Sequence, residues 1–205
     1  MRDASRIVKN SREPILLGAA RFVFLDRDGV LNRKLPENQY PTSREDLQLL
    51  PGAGEALAKL NGNGRTIILV TNQRGIGLGL MTEDDLTRLH DALRKDLQRY
   101  GARLDAIYHC PHDPSREQCL CRKPATGLFE RAMRDFPDLC GENSLVIGDS
   151  LSDIQAGTRL GMRTIFIEGE PLNRKPGSEE AATLANAVAR SLETAVQGLL
   201  LTSCE

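Results

Sequence analysis

The 205-residue sequence contains no tryptophan and few other aromatics, five Phe and three Tyr. A surface that stacks nucleobases combines aromatic faces with basic charge, and an excess of basic charge is also missing. The 27 Lys and Arg stand against 28 Asp and Glu, a formal net charge of −1. Neither nucleic acid nor an anionic membrane surface is therefore an expected partner. No apolar run approaches the roughly 20 residues of a bilayer span. The stretch Ile15-Leu16-Leu17 falls short of a signal-peptide core of about 7–15 apolar residues. These absences predict a cytoplasmic chain with one sizeable domain over residues 21–205, expected as a monomer. A loose arm over 1–20 precedes it, where Pro14 breaks any helix.

Against that background, short apolar runs alternate with helical spacing. Strands are expected over 21–25, 66–70, 106–109, 145–147, 164–167 and 187–189. The run Thr66-Ile67-Ile68-Leu69-Val70 has the continuous β-branched character of a strand covered on both faces. Helices are expected over 54–60, 126–135 and 152–160, and from Ser191 to about 200. Another begins at Thr82, carries Leu86, Leu89, Leu93 and Leu97 on one face, and stops at Gly101. Residues 32–46, with Pro36 and Pro41, read as a loop over the end of the first strand, and 169–177 as a second loop. Strands alternating with helices predict an α/β fold with a doubly wound parallel sheet, and no insertion is long enough for a large cap domain.

Three strand ends deliver reactive groups. The first gives Asp26-Arg27-Asp28-Gly29, the second Thr71-Asn72-Gln73, and the fourth Gly148-Asp149-Ser150, with Asp153 one helical turn on. Ligands of open parallel sheets bind beyond the carboxyl ends of the strands where the strand order switches, so these residues should meet. Asp26 and Asp149 offer hard oxygen ligands suited to Mg²⁺, and Lys123 adds a positive charge. A carboxylate that attacks a phosphate dianion faces about 4 kcal/mol of repulsion per charge pair at 4 Å and an effective dielectric of 20. A divalent cation and Lys123 offset it. Asp26 is then the expected nucleophile, forming an aspartyl phosphate, and Asp28 the acid and base that serves the leaving alcohol and the attacking water. Each motif alone has a plainer reading as a solvated turn or a helix cap; their order along the chain argues for a common site.

Five cysteines is an odd number, and Cys110, Cys119 and Cys121 crowd into one segment with His112. Three thiolates and one imidazole make the closed four-ligand set of structural Zn²⁺. The alternative is a cluster of reduced, partly buried thiols. Cys140 and Cys204 lie apart and receive no role.

Taken together, Asp26-Arg27-Asp28-Gly29-Val30, Val70-Thr71-Asn72-Gln73, Arg122-Lys123-Pro124 and Gly148-Asp149-Ser150-Leu151-Ser152-Asp153 resemble the four motifs of the haloacid dehalogenase superfamily of phosphatases. The resemblance implies that the Asp28 backbone carbonyl joins Asp26 and Asp149 on Mg²⁺. It also implies that Thr71 and Lys123 hold the transferring phosphoryl group. Cys110-Pro111-His112 with Cys119-Leu120-Cys121-Arg122-Lys123-Pro124 is similar to the zinc loop of the heptose bisphosphate phosphatases and their histidinol-phosphatase relatives. That likeness implies a structural zinc that positions Arg122 and Lys123. Asn72, Gln73, Arg74, Arg122 and Ser150 are by the same likeness expected on the substrate, a small phosphorylated sugar. Thr71 to Gly77 followed by Met81-Thr82-Glu83 favours the heptose enzymes, acting at the 7-phosphate. The six residues between His112 and Cys119 are closer to the histidinol phosphatases, and Ser150 stands where heptose enzymes often carry Lys. A zinc-stabilised binding module without activity is the reading from another class.

Overall fold

The computed structural model describes residues 8–9, 20–36, 39–169 and 175–201. Its centre is strand β2 (Phe22–Leu25), buried along its whole length. Because side chains alternate across a strand, Val23 and Leu25 face one apolar cluster, while Phe22 and Phe24 face another. That two-sided burial is why the strand reads as an unbroken apolar run.

The same alternation recurs in β3 (Thr66–Asn72) and β5 (Ser144–Gly148). Ile67, Leu69, Leu145 and Ile147 join the first cluster, whereas Ile68, Val70 and Val146 join the second. Leu57 and Leu60 of α1 (Ala53–Gly62) cover the first face. So do Leu86, Leu89, Leu93 and Leu97 of α3 (Glu83–Gln98) and Val196 of α7 (Leu192–Leu201). Leu128, Phe129 and Ala132 of α4 (Gly127–Asp135) and Ala156 of α5 (Leu151–Arg159) cover the other.

With β1 (Val8–Lys9), β4 (Ala106–Cys110), β6 (Arg163–Ile167) and β7 (Ala187–Ala189), the sheet order is β1-β7-β6-β5-β2-β3-β4. All neighbouring pairs are parallel except β1 with β7. From β2 the chain adds β3 and β4 on one side, then crosses back to place β5 on the other. The switch point therefore falls at β2 and β5, where Leu25 lies opposite Ile147.

Several expectations change in detail. Strand β3 continues to Asn72, so Thr71 and Asn72 sit on the sheet itself, paired with His109 and Cys110. One helical turn, α2 (Arg74–Gly77), follows at once, and α6 (Ser178–Leu184) occupies a stretch for which the sequence suggested no element. Within the expected arm, Val8–Lys9 is an edge strand; residues 1–7 and 10–19 lie outside the described residues, as do 170–174 of the expected loop over 169–177. Helix α3 starts as its sequence requires: Thr82 Oγ1 accepts from Asp85 N at 3.1 Å, and Asp85 Oδ2 accepts from Thr82 N at 2.8 Å.

Candidate active site

The switch point brings three carboxylates together. Oxygens of Asp26, just after β2, and of Asp149 and Asp153, at the β5–α5 junction, all lie within 4.8 Å of one another. Backbone geometry permits this approach. Gly29 has φ +96°, and a methyl group there would overlap the Asp149 carboxylate; one on Gly148 would overlap Asp153.

Two lysines balance the cluster. Lys123 Nζ lies 2.8 Å from Asp26 Oδ1 and 2.5 Å from Asp153 Oδ1, and donates to the Val70 carbonyl at 2.7 Å. Lys175 Nζ lies 2.5 Å from Asp149 Oδ1. Burial works against every one of these charges. It pushes Asp149 up to about 7, opposed by Lys175 and reinforced by Asp26 and Asp153. It likewise raises Asp26 despite Lys123. In Asp153 the attraction of Lys123 and Lys175 outweighs burial and lowers the pKa. Lys123 is held above the ordinary lysine value by Asp153 and Asp26 although burial disfavours its charge.

Asp28 is arranged differently. Its Oδ1 accepts from Asn32 Nδ2 at 2.9 Å and its Oδ2 from Gln73 Nε2 at 3.1 Å, while Arg27 Nη2 reaches Oδ2 at 3.0 Å. Burial disfavours its charge, but the Arg27 guanidinium and these bonds outweigh that and hold the carboxyl below its usual range. The Asp28 side chain is thus outside the three-carboxylate cluster, whose third member is Asp153.

The residues expected on the substrate divide. Gln73 is buried, and its Nε2 donates to Asp28 and to Thr71 Oγ1 at 2.8 Å while its Oε1 accepts from Arg27 Nη2 at 2.9 Å. Asn72 bonds both backbone groups of Lys123, accepting from its N at 3.1 Å and donating to its carbonyl at 3.2 Å. At the start of α5, Asp153 Oδ2 accepts from Ser150 N at 3.1 Å and from Ser150 Oγ at 2.5 Å. Arg74 Nε pairs with Asp113 Oδ1 at 2.7 Å. Arg122 is the exception: its Nη1 is buried with no hydrogen-bond partner among the described residues. A desolvated guanidinium N–H of this kind is an unmet demand for an anion. Beside Asp149, a cavity of about 420 Å³ is bordered by Gly29, Arg33, Lys34 and Glu168, so the loop after β2 does reach the site.

The cysteine loop leaves the end of β4 next to Asn72. One ligand atom each from Cys110, His112, Cys119 and Cys121 falls within 4.8 Å of the others. Cys110 Sγ is 3.7 Å from Cys119 Sγ and 3.2 Å from Cys121 Sγ, and His112 Nδ1 is 3.0 Å from Cys121 Sγ. A tetrahedron with Zn–S bonds of 2.3 Å has edges of about 3.8 Å, so the donor set fits zinc with small adjustment. Burial resists ionisation of Cys119, but the Arg122 backbone N–H and the neighbouring thiols bring it down to about 7. Burial and the Cys121 contact push Cys110 up.

Sequence reasoning missed Lys175, Asp153 as a partner of Lys123, and the pair Arg27–His90, in which Nη1 and Nε2 lie 3.4 Å apart. Asp153 had a signal in its motif; Lys175 and His90 had none.

Residues 120–195 match the HAD-hydrolase-like family model. The D-glycero-β-D-manno-heptose-1,7-bisphosphate 7-phosphatase of Photorhabdus laumondii is 35% identical over 186 residues, covering 86% of this chain and 95% of that protein. The α-anomer enzyme of Mycobacterium bovis is 42% identical over 133 residues, covering 65% of this chain and 69% of that protein. A crystal structure of D,D-heptose 1,7-bisphosphate phosphatase from B. bronchiseptica with magnesium and phosphate superposes with TM-score 0.76 at 30% identity, covering 88% of this chain and 98% of that one. Among the described residues no helix is long and apolar enough to cross a membrane. The chain belongs to the HAD superfamily of phosphoric monoester hydrolases, in the group of the heptose-1,7-bisphosphate 7-phosphatases.

Proposed function

We propose that this enzyme removes the 7-phosphate of a D-glycero-D-manno-heptose 1,7-bisphosphate, with Asp26 as nucleophile. The observation that supports it most is the ammonium of Lys123 held between Asp26 and Asp153, with Asp149 alongside. Asp26 attacks phosphorus as the bond to the sugar oxygen breaks, and Asp28 gives that oxygen its proton. Asp28 then takes a proton from water as the water oxygen attacks phosphorus, releasing phosphate and regenerating the Asp26 carboxylate. Arg27 and the bonds from Asn32 and Gln73 favour the ionised Asp28 that serves the second step, and the proton it gives the sugar oxygen in the first is taken up from solvent as the substrate binds. Thr71 and Lys123 hold the phosphoryl oxygens, and Arg122, with its unpartnered Nη1, takes an anionic group of the substrate.

Asp26, Asp149 and the Asp28 carbonyl are the residues that would hold Mg²⁺, whose charge, when bound, stabilises the negative phosphoryl oxygens. Hard carboxylate oxygens at this spacing suit that ion. Cys110, His112, Cys119 and Cys121 would hold a structural Zn²⁺. Ligation of Cys121 fixes the backbone two residues before Lys123, while Asn72 holds Lys123 from the other side.

The test is a panel of both heptose bisphosphate anomers, histidinol phosphate and an aryl phosphate, each with and without Mg²⁺. We expect Mg²⁺-dependent turnover with one heptose anomer best. Preference for histidinol phosphate would overturn the substrate, and absence of turnover on every member would overturn the activity.

A further inference from the structure

Arg27 is the bulkiest of the fully buried side chains, at 0% exposure, and it carries a permanent charge. Burying a guanidinium is costly unless its donors are met, and here they converge on the acid–base carboxylate. Nε and Nη2 reach Asp28 Oδ1 at 3.3 and 3.2 Å, Nη2 reaches Oδ2 at 3.0 Å, and Nη2 also donates to Gln73 Oε1 at 2.9 Å. The remaining arm, Nη1, meets His90 Nε2 of α3 at 3.4 Å, across 63 residues of sequence. His90 is 5% exposed, and burial, with the positive charges of Arg27 and Arg94, pushes it down to about 3. The ring is therefore neutral at working pH, with an Nε2 lone pair to accept from Arg27.

We propose that Arg27 is a positioning residue for proton transfer from Asp28 to the leaving oxygen, and that His90 on α3 is the anchor that fixes Arg27. The inference rests on the aspartyl-phosphate reading above. The planar fork bonds both oxygens of Asp28 and so fixes the rotation of its carboxylate. Fixing Arg27 in turn requires an acceptor at Nη1, and His90 supplies it.

This role has a chemical signature. An alkoxide leaves only if protonated as the P–O bond breaks, whereas a nitrophenolate departs without a proton. A residue that aims Asp28 therefore matters for alkyl phosphates and little for nitrophenyl phosphate. A purely structural residue affects both alike. The readout is kcat/KM, which reports the steps up to transfer onto Asp26.

For His90→Leu we expect about a tenfold loss on the sugar phosphate and less than about threefold on p-nitrophenyl phosphate, in line with one lost buried hydrogen bond. His90→Gln, which keeps an acceptor, should recover most of the loss. Arg27→Lys, which keeps the buried charge without the fork, is the second arm, with a loss of about 100-fold on the sugar phosphate and at least tenfold less on the aryl ester. Equal losses on both esters, or no loss on either, would overturn the proposal. A parent enzyme inactive on both esters would instead overturn the phosphatase reading beneath it.

Discussion

Replacing Lys123 by Met removes one ammonium from between two buried carboxylates and leaves the volume nearly unchanged. Lys123 Nζ sits 2.8 Å from Asp26 and 2.5 Å from Asp153. An ammonium about 4 Å from an incoming phosphoryl charge, at an effective dielectric of 20, contributes about 4 kcal/mol per charge pair. Lost from the transition state, that is about 10³-fold in kcat/KM. The fold suffers as well, because breaking a buried pair while one partner stays charged costs about 3–5 kcal/mol. The deficit depends on pH with a definite sign. Asp26 is already raised by burial, and losing Lys123 raises it further. A carboxylate with a folded pKa above its unfolded one binds more protons when folded, so its penalty grows as pH rises and fades as pH falls toward the unfolded value. Urea unfolding of the variant should therefore show a larger deficit at pH 8 than at pH 5.5. A kcat/KM within tenfold of the parent, in a variant with that stability pattern, would refute the placement of Lys123 on the phosphoryl group.

Three further outcomes are expected. Asp26→Asn should release no phosphate above background and fail to take up label from a phosphorylated substrate, since an amide cannot form the acyl phosphate; mass spectrometry of the quenched protein checks this. Cys119→Ser should lower bound zinc, measured by elemental analysis, and the melting temperature, and reduce activity through Arg122 and Lys123. The loop has little core of its own, so metal affinity is folding free energy there; full activity at zero zinc would contradict it. His90, pushed down to about 3 in the folded state, should make stability fall with acid. Below about pH 6.5 the unfolded chain binds a proton that the folded one refuses, so by pH 4.5 about 3 kcal/mol is lost. His90→Gln should flatten that slope, and identical urea-unfolding profiles for the two proteins between pH 7.5 and 4.5 would argue against a neutral buried ring.

What could be read from residues alone was what local pattern encodes. Unbroken apolar runs at β2, β3 and β5 announce strands covered on both faces, and their ends announce Asp26, Thr71 and Asp149. The ligand spacing of Cys110, His112, Cys119 and Cys121 is local too, and the structure draws those four together. Tertiary structure alone decided how the remaining polar groups are used. Lys175 reaches Asp149 across 26 residues, and Asn72 holds Lys123 across 51. Gln73 and Ser150, expected on the substrate by analogy, also hydrogen-bond within the protein, to Thr71 and Asp153. The arm contributes an edge strand through Val8–Lys9, which has a partner only once β7 is in place. The reason is physical. Periodicity records which face of an element avoids water, a property each segment carries alone. A hydrogen bond or an ion pair depends on which donor and acceptor the packed helices and loops bring within about 3 Å, and in a chain with nearly equal numbers of acids and bases that choice is made only on folding.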